Sequence, residues 1–595
     1  MNERVLRPFG RSCFLLFVLP LFVLSLVGAS SACAQTIPSD AKATCTVTAA
    51  QFAGWFQSGS VAVNGVVKPA NSVTFSNPAA NCPFYQWSKQ MFLWLTSPAP
   101  VSYGGGGGRI MDSPTFYDVS PPNLTTGNRT FIPHEQGVLR NLSLRAAQVG
   151  PQGLPVIVDT TGRVFEVAKP APNEKPLVRS LSGRLVPLAS ISRSVDEKLV
   201  LQDETGKAIT AAKAPAPVAH LQIAKPVTLR KFILPGGIVF IDPSGNIIDA
   251  EQGQADDGVL LAQNGSLVYY VTMVNDVYAY FTTMVAHQTT KTKQFPTTQA
   301  TLNPVVSFAS AHGKTFPDPD ALAIEVKSSW VEATGLPNIG SYITMQAIIP
   351  TYNTSNPLKW TLTGQKTTTL ALVGMHVVGS ANGHPEMIWS TFEHFGNSPN
   401  ATYQYINTSG QLKTVTQSTA GSWLFSKSNS SGPFNKMHAD YFNAPNIEGH
   451  TPTPPPTLPQ LQITPSDTLR TMAWGSSFNA APSPLVPSAA AANTEIISIH
   501  NSIASKLPAA DIRSNYFMVG STWTIGGVGS TTSFGSPGNT GGNEVGTSQL
   551  NNTTMETYQQ NPTTNFNANG GNCLLCHRTN TTSVSHDFPA LQPLF

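Results

Sequence analysis

Five consecutive residues near the end of the chain, Cys573-Leu574-Leu575-Cys576-His577, set two thiols three positions apart and place an imidazole directly after the second. On a helix those thiols stand about one turn apart on one face. Two vinyl groups along one edge of a porphyrin match that reach, and the imidazole then turns under the ring to ligate iron from the proximal side. This chemistry predicts one covalent haem c, attached through Cys573 and Cys576, with His577 as proximal iron ligand. Covalent attachment suits a cofactor that the surrounding fold encloses poorly. Three other chemistries use similar residues. A thioredoxin-like dithiol wants a βαβ setting, and this pair lies in an Asn- and Gly-rich tail. A zinc site wants a fourth ligand and usually a second Cys pair; His586 could serve as ligand, but the second pair is missing. A disulfide spanning two residues is strained.

Over these five residues the chain resembles the c-type cytochromes. In the common small cytochrome domain the motif lies near the start, and a methionine downstream supplies the second axial ligand. Here only 18 residues follow His577 and none is Met. The resemblance therefore implies a haem segment docked on the body of the protein, or exposed on a tail, rather than a small cytochrome domain of its own. Two further stretches, Trp389-Ser390-Thr391-Phe392-Glu393-His394 with Asn397 and Pro399, and Asn552-Thr553-Thr554-Met555-Glu556-Thr557, are similar to segments of large uncharacterised bacterial proteins ending in Cys-x-x-Cys-His. That similarity covers the C-terminal half and implies no known activity.

The distal iron position decides mechanism. His586, nine residues after His577, spans about 30 Å when extended and can round the porphyrin edge. The other candidates are His394, from the group His376, His384 and His394, and Met555; the position can also stay open. For His376 and His384 an ordinary hydrogen-bonded role is the simpler expectation. Elsewhere, His134-Glu135 lacks the second His of a zinc protease motif, and the run Gly104 to Gly108 lacks the Lys-Ser/Thr ending of a phosphate loop. The carboxylates Glu325, Glu332, Glu386 and Glu393 lie near aromatic residues, with their pairing undecided by sequence.

The elements that must position these groups come from a chain of 595 residues, of which 41% are hydrophobic and only 11% charged. Thr, Ser, Asn, Gly and Pro take the place of charge, a mixture that favours strands and turns over long charged helices. The net charge is +3, with Lys and Arg scattered, so no nucleic-acid partner is expected. Residues 1–34 read as a secretory leader: Arg4, Arg7 and Arg11, an apolar run from Phe14 to Val27, then Ala32-Cys33-Ala34. That run is short of the ~20 residues of a spanning helix. After cleavage no membrane span is expected, and the location is periplasmic or secreted. Cys13 and Cys33 fall in the leader, leaving Cys45 and Cys82 to pair as a disulfide in an oxidising compartment. Closing that loop stabilises by roughly 3–4 kcal/mol on the chain-entropy model.

The predicted fold class is mixed α+β, β-rich with hairpins. Residues 35–145 form an aromatic-rich segment in which Phe84 to Leu95 reads as a buried helix or strand. Residues 146–265 form a β-hairpin region carrying a weak repeat of Asp-x-Ser/Thr-Gly-polar turns at 159–163, 203–207 and 242–246. A mixed body covers 266–450, with a buried helix expected from Leu267 to about Ala286 and strands at Ala321–Trp330 and Leu370–Val378. A Pro-rich linker at 451–460 precedes a C-terminal body, 461–570, whose helix at 493–507 is capped by Asn493 or Thr494 and stopped by Pro508. The haem segment is 571–595.

These features point first to an exported mono-haem cytochrome in electron transfer, with a redox partner protein. A haem-dependent oxidoreductase, peroxidase- or oxygenase-like with an open distal site and an unidentified small-molecule substrate, is the second reading. A secreted binding protein with a redox-sensing haem is the third.

Overall fold

The computed structural model describes residues 37–70, 75–77, 80–104, 108–120, 128–142, 156–158, 164–168, 170–171, 173–193, 199–210, 228–234, 237–248 and 260–287. Further along it describes 294–355, 359–430, 446–447, 465–470, 473–475, 487–528, 542–547, 550–556, 573–576 and 591–595. The leader, the turn at 159–163, the Pro-rich linker, His577 and His586 lie outside these residues, as does the side chain of Cys576.

One large sheet organises the chain. Ten of its eleven strands are β1 (Phe116–Val119), β2 (Phe131–Pro133), β3 (Arg140–Asn141), β4 (Tyr269–Asn275), β5 (Ile324–Glu332), β6 (Thr344–Asn353), β7 (Lys359–Ala381), β8 (His384–His394), β9 (Tyr516–Thr524) and β10 (Glu544–Gly546), and the other is the short Asn446–Ile447 beside β7. They lie in the order β2-β1-β4-β5-β7-β8-β9-β10, with every neighbouring pair antiparallel. The long β7 pairs along both halves: its second half lies between β5 and β8, and its first half extends beyond them to pair with β6. Strands from the early, middle and late parts of the sequence thus share one hydrogen-bonded surface.

Alternation gives that sheet two faces. On one, Ile324, Val326, Met375, Val377, Ile388 and Phe392 bury against α2 (Asn81–Leu95) and α5 (Pro487–Ala504), with Trp87, Phe92 and Ile499 in the same core. Stacked rings fix this packing: Phe92 on Phe392 at 4.5 Å and Phe84 on Trp523 at 3.7 Å. The short helix α1 (Ala49–Trp55) closes the rim with a capping box on Thr48 and Gln51. On the other face α3 (Asp276–His287) and α4 (Gln299–Ala311) cover Val274, Val378, Met387 and Trp389. The remaining helix, α6 (Cys573–Cys576), is a single turn. Cys45 and Cys82 form the disulfide, with Cα atoms 5.3 Å apart, fastening the N-terminal segment to α2.

The hairpin region forms small sheets of its own around Val178, Leu188, Ile191, Leu201, Phe232 and Val239. Its turns follow from the repeated motif. In 242–246 the Asp242 carboxylate accepts the N–H groups of Ser244 and Asn246, both at 2.8 Å, and Gly245 sits at φ 83°. Asp203 does the same for Thr205 and Lys207, and Asn407 repeats it at 407–411. The positive φ is why glycine occupies the fourth place.

Two local expectations need correction. Leu267 to Ala286 is not one helix: β4 runs to Asn275 and only then does α3 begin. β4 has partners on both edges and apolar residues on both faces, so its sequence shows no alternation to separate it from a buried helix. The boundary is chemical instead, because the Asn275 side chain accepts the Tyr278 N–H at 3.1 Å as a helix cap. The helix expected at 493–507 starts earlier, at Pro487, a residue suited to the first helical position. Asn493 and Thr494 are therefore interior: Asn493 donates to the Gln404 carbonyl and Thr494 to that of Ala490.

Candidate functional site

The turn Cys573–Cys576 docks on the body. Leu574 is 1% exposed within the apolar cluster built by α3, α4 and β1, and Cys573 packs half-buried at its edge. A turn this short does not hold itself; burying one leucine contributes roughly 1.5–3 kcal/mol and fixes it to the surface. The chain returns to the same cluster at Leu591. There the Gln592 N–H donates to the Arg129 carbonyl at 2.8 Å and the Leu594 N–H to Thr283 Oγ1 at 3.1 Å. The Phe595 ring stacks on His312 at 4.3 Å, and its carbonyl meets His287 Nε2 at 2.9 Å.

Upstream, the segment 551–556 is bound to the sheet face beside that cluster. Glu393 on β8 accepts from Arg470 Nη1 at 2.6 Å, from the Thr553 N–H at 2.9 Å and from the Thr553 hydroxyl. Asn552 donates to the Phe392 carbonyl at 3.0 Å, and Thr554 bonds Ser329 through its hydroxyl. Glu556 closes the network on His376 Nε2 at 2.9 Å. Burial pushes the Glu556 carboxyl up, but His376 and the Asn552 N–H outweigh it and hold the group below its ordinary value. The stretches around Glu393 and Asn552 are thus two halves of one buried polar network.

Close approach of that segment depends on Gly374. A Cβ there would lie 2.5 Å from Thr554 Oγ1 and 2.6 Å from the Asn552 amide. Gly374→Ala is expected to lose about 1–3 kcal/mol in urea unfolding. It should also make 550–556 cleavable by protease in the folded protein; wild-type resistance would refute the steric account.

The histidines named from sequence do not converge. His376 has both ring nitrogens engaged, by Thr391 and Glu556. His384 is buried, bonded to Glu386 at 2.8 Å and edged by Phe75 and Phe84. His394 shares the register of Ile388 and Phe392 and so turns to the α2–α5 face, stacking on Tyr342 at 3.7 Å. Its Nδ1 accepts the Gly396 N–H at 3.0 Å, and burial lowers its pKa to about 3, so it is a neutral imidazole. Leu574 belongs to the opposite face. Met555 is fully buried in the turn that follows Asn552. Among the described residues no three His, Cys, Asp or Glu side chains gather as a metal-ion site.

Sequence reasoning missed a second polar centre. His134 bonds Asp118 at 2.6 Å, and Arg140 bridges Asp118 at 3.1 Å and Asp112 at 2.6 Å. Burial pushes the Asp118 carboxyl up, but Arg140 and His134 together hold it below the usual range. The four residues join β1, β2 and β3. His134-Glu135 was the one visible clue, and the partner proved to be Asp118 rather than the neighbouring glutamate.

The residues present fit the group that the motif implies. Cys573 and Cys576 lie on one helical turn, that turn is fixed by a buried leucine, and an apolar layer lies beneath it. No family model, no curated protein and no solved structure matches the chain.

Proposed function

We propose that this chain is an exported protein carrying one haem c, and that it works in electron transfer with a redox partner protein. Cys573 and Cys576 would hold the porphyrin through thioethers and His577 the iron; bound there, the group supplies one-electron redox chemistry. The observation that carries the reading is the docking of Leu574, which lays the attachment turn on the body, with the chain held again at Leu591–Phe595. The body contributes position and a low-dielectric wall rather than a separate cytochrome domain. Electron transfer is favoured over catalysis because Glu393 and His394, the pair best suited to a distal pocket, point to opposite faces, and Glu393 is already committed to Arg470. The leader pattern and the Cys45–Cys82 bridge fit an oxidising compartment outside the cytoplasm.

The test is to express the full chain with its leader in a host that matures c-type cytochromes and record reduced spectra with and without carbon monoxide. A covalent haem spectrum that the gas does not alter is expected, and Cys573→Ala with Cys576→Ala should abolish covalent attachment. Failure to attach any haem would overturn the reading. A haem that binds the gas readily has an open iron position and would replace electron transfer with oxygen or peroxide chemistry.

A further inference from the structure

A cavity of about 330 Å³ opens between α2, the start of α4, the last residues of β7 and the turn that leads into β5. Trp87, Leu302, Ala321 and Leu322 form its floor and walls, and Asp320 and Asn382 stand exposed at its mouth. That volume lies at the small end of the ~300–1,000 Å³ typical of small-molecule sites. The walls are tied together by hydrogen bonds. Leu322 holds φ 63°, and its carbonyl accepts from Asn275 Nδ2 at 2.7 Å. The Ala323 N–H donates to Ser380 Oγ at 3.2 Å, and that hydroxyl donates to the Pro296 carbonyl at 2.9 Å. The end of β7, the turn before β5 and the segment before α4 are thus fixed around one hollow.

The lining selects a ligand by the hydrogen bonds it leaves unmade. Trp87 is 2% exposed, and its benzene edge lies on β7, where a Cβ on Gly379 would be 3.0 Å from Cη2. Its indole N–H has no acceptor among the described residues, yet that nitrogen is not shut in like those of Trp423 and Trp474. The little surface it keeps is therefore turned to the cavity it lines. The Asp320 and Asn382 side chains also lack a partner among the described residues. The start of α4 offers little to an anion, because Thr298 and Thr301 already cap it. No Lys, Arg or His is among the described lining residues, so a phosphate or carboxylate would face Asp320 without a counter-charge. An ammonium would suit Asp320 but could not accept from the indole. A hydroxyl does both, accepting from Trp87 and donating to the carboxylate. We propose that this cavity binds a small neutral sugar, a mono- or disaccharide. One hydroxyl oxygen accepts from Trp87 Nε1, and others bond Asp320 and Asn382 at the mouth. Leu302 and Leu322 meet the C–H surface of the ring.

The experiment uses the full chain and saturation-transfer NMR with glucose, galactose, N-acetylglucosamine and maltose as probes. At least one of the four is expected to bind, roughly tenfold more weakly in Asp320→Ala and several-fold more weakly in Trp87→Phe. Trp87→Phe keeps an aromatic ring and removes the donor. Asp320 is exposed, so Asp320→Ala should fold and still tests the site where the change at Trp87 disturbs the core. Circular dichroism checks both variants. A folded wild-type protein that binds none of the four sugars overturns the proposal. A bound sugar that Asp320→Ala does not weaken overturns it too, as does displacement of the sugar by an equal concentration of inorganic phosphate or ethylenediamine. The readout is independent of haem.

Discussion

Lys89→Met is expected to make the protein more stable, by roughly 3–5 kcal/mol at neutral pH. The reason is the depression of the folded-state pKa from 10.5 to about 7, caused by burial. Above pH 10.5 the amine is neutral in both states and contributes nothing. As pH falls from there, the unfolded chain takes up a proton that the folded chain refuses until about pH 7, so wild-type stability declines across this window. Below it both states are protonated and the penalty is constant. The gain from methionine, which fills similar volume without charge, should be full at and below neutral pH and fade towards pH 10.5. Urea unfolding of both proteins across that range measures it. A difference that is small or independent of pH would show that Lys89 finds compensation in the folded state.

Arg470→Met should act in the opposite direction and as strongly, with a loss of roughly 3–5 kcal/mol. Glu393 is 1% exposed and Arg470 3%, and their contact at 2.6 Å is shut away from water. Burial lowers the Arg470 pKa and the Glu393 charge opposes that, so the pair exists at the expense of desolvation. Removing the guanidinium leaves a buried carboxylate with only Thr553 and Asn397 to satisfy it. It also frees the Asn551 carbonyl, to which Arg470 donates at 3.1 Å. The loss should appear in equilibrium unfolding and in faster hydrogen exchange at 551–556. Adding Glu393→Gln should recover much of it, since a neutral amide still accepts from Thr553. A single variant that stays within 1 kcal/mol of wild type would mean that water reaches Glu393 and the pair does not fasten the segment.

How far the sequence could be read depended on whether the deciding interaction was local. The turns at 203–207 and 242–246 were legible because Asp and Gly carry their geometry within five residues. The same holds for β5, part of β7 and the pairing of Cys45 with Cys82, where chemistry or alternation was visible. β4 was misread because a strand apolar on both faces has lost its period. Among the site residues, the docking of the Cys573–Cys576 turn on the body is one of the two placements the sequence left open, the other being an exposed tail. The network of Glu393, Arg470, Thr553 and Glu556 was not legible, because its members are up to 163 positions apart in sequence, from Glu393 to Glu556. Lys89 escaped for a related reason: nothing in α2 marks one lysine as buried until α5 and the sheet close over it.

The order in which the sheet is assembled also governs when the protein can fold. Cys45 donates to Ser498 at 2.9 Å and Val47 to Ser502 at 2.8 Å, and β8 finds its outer neighbour only in β9. The main core therefore cannot close on a partial chain; α5 and β9 have to arrive first. Contacts of such long range are slow to form and give little reward until nearly all the sequence is present. A chain emerging from its N-terminus would stay loose and threadable until its last quarter appeared.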